Sequence, residues 1–129
     1  MKSRSIIVVA AGLAGAAGMA LGALAAHRID DPSLATASHM LVLHAAAALG
    51  LAAHLRRVHH GPAPFAKIWI VSAALLLGGA VLFAGDIAAR TIGGFRLFPM
   101  AAPTGGAAMI LGWLVLAFVG ALSLRGREK

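Results

Sequence analysis

The chain has 129 residues, of which 60% are hydrophobic and 12% charged, with a formal net charge of +7. A soluble domain carries about 25% charged residues, so these few charges cannot cover a water-facing surface and lipid must cover the rest. The absence of cysteine excludes a disulfide framework, thiolate metal sites and cysteine nucleophiles. Basic residues confined to the ends of apolar runs argue against nucleic acid as a partner and for flanked membrane spans.

The first apolar run, Ser5 to Ala26, carries no charge. Met-Lys-Ser-Arg before it and Ala23-Leu24-Ala25 near its end imitate a signal peptide with its cleavage site. The run exceeds the roughly 7–15 residues of a signal core and is long enough to span, so a retained helix over 5–26 is expected. It ends at His27-Arg28-Ile29-Asp30-Asp31. Asp31 as N-cap and Pro32 at the first helical position then start a second helix, expected over 32–57. His39, His44 and His54 interrupt it and Arg56-Arg57 close it. His59-His60-Gly61-Pro62-Ala63-Pro64 reads as a short solvated loop, because its glycine and prolines break a helix.

A third helix is expected over 65–88, with Trp69 near its start and Asp86 at its end. The stretch from Ala88 to Ala102 mixes Arg90, Gly93, Gly94, Arg96 and Pro99 with Phe95, Leu97, Phe98 and Met100. It reads as a loop lying on or dipping into the membrane surface. A fourth helix is expected over 103–124, before the basic tail Arg125-Gly126-Arg127-Glu128-Lys129. The expected architecture is therefore all-α: one domain over 1–129, an integral membrane four-helix bundle with short loops. Lys2, Arg4, Arg56, Arg57, Lys67, Arg125, Arg127 and Lys129 fall on one side, eight positive charges against the three of Arg28, Arg90 and Arg96. The positive-inside rule puts both termini in the cytoplasm.

Inside lipid, helices associate through close van der Waals contact rather than hydrophobicity. Ala10, Ala14, Gly18, Gly22 and Ala26 recur every fourth residue along the first helix, and Gly18-xxx-Gly22 is a GxxxG pair. Ala46 with Gly50, Ala74 with Gly78, and Ala108 with Gly112 and Gly120 give the other helices similar ridges. These ridges are expected to seal one bundle, with at least one left spare for an oligomer.

Ionisable groups at membrane depth raise a functional hypothesis. His27 ends the first helix, His44 lies about three turns inside the second, and Asp86 ends the third, all toward the non-cytoplasmic side. The three are expected to share one polar neighbourhood. His39 and His44 are separated by about 140° around their helix and cannot both face one centre. The favoured reading makes His44 a hydrogen-bonded register pin. The alternative makes His27 and His44 ligands of a metal or haem, with Asp86 orienting them. Asp86 can also simply offset Arg90, four residues on. No nucleophile motif, phosphate loop or dinucleotide fingerprint appears, and neither enzyme activity nor a cofactor is expected. Gly105-Gly106 follow Pro103-Thr104 without the lysine of a phosphate loop. They read as close packing at the fourth helix's start, or as exposed N–H groups that attract an anion. Trp69 and Trp113 read as packing or interface residues.

Taken together, four elements resemble the domain-of-unknown-function-423 family, small bacterial inner-membrane proteins related to the eukaryotic transmembrane protein 256. Gly22-Ala23-Leu24-Ala25-Ala26-His27 matches the family's Gly-Ala-x-Gly-Ala-His, with Ala25 in place of glycine. His44-Ala45-Ala46-Ala47-Ala48-Leu49 matches the second helix, although Met40-Leu41 stand where Tyr-Gln often precedes that histidine. Leu82-Phe83-Ala84-Gly85 matches Leu-Phe-x-Gly, and Pro103-Thr104-Gly105-Gly106 with Gly112-Trp113 matches the fourth helix. The resemblance implies a four-helix fold in the bacterial inner membrane and no established activity. Three functions follow as expectations, in this order: association as a homo-oligomer or as an accessory subunit of a membrane complex, metal or haem binding, and a small-solute pore or transporter.

Overall fold

In lipid every backbone N–H and C=O must be satisfied within the protein, and the computed structural model, which describes residues 2–57 and 63–125, does so with helices alone. They are α1 (Lys2–His27), α2 (Pro32–Arg57), α3 (Ala63–Gly93) and α4 (Ala101–Arg125). All four are long and apolar enough to cross a membrane.

The α1–α2 turn is built by Asp31. Its Oδ1 accepts from the Ser33 backbone N–H at 2.8 Å and from the Ser33 hydroxyl at 2.6 Å. Pro32 follows at the position where a missing N–H costs nothing. Residues 59–62 of the expected loop lie outside the described residues, and its Ala63 and Pro64 instead open α3, two residues before that helix's expected start. The third helix runs beyond its expected end, through Ala88 to Gly93. Arg90 sits one turn after Asp86 and pairs with it at 3.0 Å, which favours helix through this stretch. The helix stops at Gly94, whose φ of 71° suits a residue without Cβ and whose N–H donates to the Arg90 carbonyl at 3.1 Å.

The fourth helix begins at Ala101, two residues before its expected start. Pro103 is tolerated inside its first turn because N–H groups there have no helical acceptor to lose. Between the helices, residues 94–100 form a short loop that exposes Phe95, Leu97, Phe98 and Met100.

The helices pack in a zigzag. α2 and α3 are central, α1 lies on α2, and α4 lies on α3, with a lesser approach of α1 to α3. Among the described residues no Cα of α4 comes within 8 Å of one in α1 or α2. The buried residues of α2 (Leu34, Ala37, Ser38, Leu41, His44, Ala45, Ala48, Leu51, Ala52 and Leu55) recur at three- and four-residue spacing, which defines one helix face. α1 and α4 instead turn rows of large apolar residues outward, among them Val9, Leu13, Leu114 and Phe118. In lipid that is a compatible exterior.

Candidate functional site

Glycine sets how close the paired helices come. A Cβ on Gly18 would stand 2.7 Å from Val42 Cγ2 and 3.3 Å from the Ser38 carbonyl oxygen. One on Gly22 would stand 2.7 Å from the Ser38 hydroxyl. α3 and α4 approach still more closely. A Cβ on Gly105 would meet the Gly79 carbonyl oxygen and the Phe83 backbone nitrogen, both at 2.6 Å, and one on Gly112 would meet Leu76 Cγ at 2.8 Å. Gly105 thus faces α3 backbone rather than an anion. Ala14 is buried, whereas Ala10 is half-buried and Ala26 exposed.

The packing expected of Gly50, Gly78 and Gly106 is not seen, since a Cβ at any of them would meet nothing within 4 Å. On α3 the neighbouring Gly79, not Gly78, faces α4. One residue is about 100° of helix, and small-residue spacing alone does not say which of two adjacent glycines faces the partner.

Each close approach carries a serine hydrogen bond. Ser38 donates to the Gly18 carbonyl at 2.8 Å, and Ser72 donates to the Gly112 carbonyl at 2.9 Å. In both pairs a central helix supplies the buried hydroxyl and an outer helix the glycine carbonyl. These two serines escaped the sequence reading. Their signal was a hydroxyl within an apolar span, which needs an acceptor where water is absent.

His44 is 3% exposed. Its Nε2 accepts from Trp113 Nε1 at 3.3 Å. An indole N–H can only donate, so the imidazole proton sits on Nδ1, which donates to the Met40 carbonyl at 2.7 Å. The rings meet edge-on, with centroids 6.1 Å apart. Both nitrogens are thereby used, and Trp113 is the element that joins α4 to α2 across the gap between their backbones.

Asp86, also 3% exposed, serves a different end of the molecule. Its Oδ2 pairs with Arg90, and its Oδ1 accepts from the Leu97 N–H at 3.1 Å. It therefore holds the α3–α4 loop against α3. Thr91 donates to Asp31 Oδ2 at 3.1 Å, tying the end of α3 to the α1–α2 turn. Hydrogen bonds from the Ser33 hydroxyl and N–H, with lesser help from Thr91 and Arg90, hold the Asp31 carboxyl below its ordinary value.

The expected neighbourhood of His27, His44 and Asp86 does not form, and the packing shows why. A Cβ on Gly15 would touch Ala45, so His44 is level with Gly15. His27 is exposed and stands twelve residues further along α1, about 18 Å at 1.5 Å per residue. Trp113 adjoins Gly112, which packs on Leu76, and Asp86 lies ten residues beyond Leu76, about 15 Å. His44 is thus near mid-span, while His27 and Asp86 belong to the helix ends. No hydrogen bond or ion pair joins any two of the three, and no group of three metal-ligating side chains occurs among the described residues. His39 is exposed, and the exposed His54 ring lies against Trp69 with centroids 4.4 Å apart.

A family model described as a protein of unknown function (DUF423) matches residues 21–106. This range holds His27, His44, Asp86 and Gly105, and leaves out Gly18 and the Gly112-Trp113 pair. No curated protein and no solved structure matches the chain.

Proposed function

The chain belongs to the DUF423 family, whose description names no activity, and from that premise we propose that it works by helix–helix association in the membrane. The association is with further copies of itself or with a larger membrane complex that it joins as an accessory subunit. One observation carries this reading. Ala46 and Gly50 on α2, and Ala74 and Gly78 on α3, form small-residue ridges that are left exposed. The glycines of the α1–α2 and α3–α4 pairs already pack within the fold, and small-xxx-small ridges are what membrane helices use to associate.

The absence of cysteine makes the test clean. Single cysteines at Gly50 and Gly78 are oxidised in native membranes, with Leu114→Cys on the lipid-facing side of α4 as the reference. Disulfide-linked species, or a co-purifying partner, in excess of the Leu114→Cys reference support association. Cross-linking no greater than at Leu114, with a monomer mass in mild detergent and no partner, refutes it.

A further inference from the structure

α1 and α2 touch closely at Gly18 and Gly22, and the pair also has an open face near the end that holds the amino terminus. There they bound an open cleft of about 490 Å³ between Arg4, Val8 and Val9 of α1 and Leu49 and Ala53 of α2. We propose that this cleft binds one anionic phospholipid of the leaflet beside the termini, its phosphate at Arg4 and one acyl chain along the aliphatic wall.

The placement follows the bilayer's own gradient. Arg4 stands in the first turn of α1, where a long side chain reaches headgroups. Val8 and Val9 lie one turn deeper, at acyl depth, and Leu49 and Ala53 face them across the cleft. The wall offers a chain methyl and methylene groups. Volumes of about 300–1,000 Å³ are those of sites for small organic ligands.

Charge selects the headgroup. Arg4 is half-buried in the cleft and has no hydrogen bond or ion pair to another described residue. Its planar guanidinium keeps five donors, a geometry suited to phosphate oxygens. Of the four acidic residues, Asp30, Asp31 and Asp86 stand at the opposite end of the helices, and Glu128 lies outside the described residues. Lys2 and Arg56-Arg57 end the same two helices on this side. A headgroup of net negative charge is therefore favoured over a zwitterion, whose own cation would face these basic residues.

The test equilibrates detergent-purified protein with equimolar phosphatidylglycerol and phosphatidylcholine of identical chains. Native mass spectrometry then reads the lipids retained. The wild type should retain phosphatidylglycerol preferentially. Arg4→Gln should lower that preference by about five-fold, the effect of one basic residue at a membrane surface. Arg4→Lys should keep most of it, and Arg96→Gln at the opposite end should leave it unchanged. Ala53→Phe, which fills the cleft, should lower the retention of both lipids. If Ala53→Phe does not fold, as read by circular dichroism and gel filtration, the Arg4 and Arg96 variants decide alone. Retention in the proportions supplied, a preference unmoved by Arg4→Gln, or an equal loss in Arg96→Gln overturns the proposal.

Discussion

His44 faces a cost that is absent in water. A polar ring at mid-span must find one donor and one acceptor within the protein, and it does so with Met40 in its own helix and Trp113 in α4. The second bond links α4, which packs on α3, to α2, whose backbone is otherwise apart from it. Trp113→Phe keeps an aromatic ring but removes the N–H that reaches Nε2. Interhelical hydrogen bonds in membranes are worth about 0.6 kcal/mol on average and up to about 1.7. Trp113→Phe should therefore lower unfolding stability in detergent by about 1 kcal/mol. His44→Leu combined with Trp113→Phe should cost less than the two single changes summed, because no orphaned ring nitrogen is left. Strict additivity in that cycle would mean the bond carries no coupling.

At the scale of the helix pair, backbone proximity decides what a glycine tolerates. A methyl on Gly105 would be driven into the Gly79 carbonyl and the Phe83 nitrogen, and two backbones cannot yield as a side chain can. Gly105→Ala should destabilise by about 1–3 kcal/mol. Gly106→Ala, one residue on and in open space, should be neutral or stabilising by up to about 1 kcal/mol through helix propensity. Gly18 is intermediate. An alanine Cβ there displaces the tip of Val42 and stands 3.3 Å from the Ser38 carbonyl oxygen and the Val42 nitrogen, whereas the bulkier Gly18→Leu should cost about 1–3 kcal/mol of overpacking. Gly12→Leu, facing open space, is its control. Equal thermal stabilities for Gly18→Leu and Gly12→Leu would contradict the close α1–α2 packing.

For the whole molecule, the eight-to-three division of basic residues predicts that both termini and the α2–α3 loop are cytoplasmic. A cysteine at His60 should resist an impermeant maleimide in intact cells and react after lysis. A cysteine at Arg96 should react in both. The reverse labelling pattern would invert the orientation, and with it the leaflet that supplies the lipid beside Arg4.

Four spans, the α1–α2 turn and the class of packing residue were legible in the chain itself, because each rests on local chemistry. Apolar length specifies a span, Asp31-Pro32 specifies a helix start, and small residues specify close approach. Even the pairing of Asp86 with Arg90 follows from their four-residue spacing. What escaped the sequence was relative height and rotation. His27, His44 and Asp86 looked like neighbours on a map that knew only which half of the membrane each occupied. The offsets of about 18 Å and 15 Å along the helices come from the level at which Gly15 meets Ala45 and Gly112 meets Leu76. Likewise the choice of Gly79 over Gly78, and of Trp113 as the partner of His44, depends on how each helix is turned about its axis. Tertiary packing alone decides that, because adjacent small residues offer a helix nearly equivalent faces until another backbone comes against one of them.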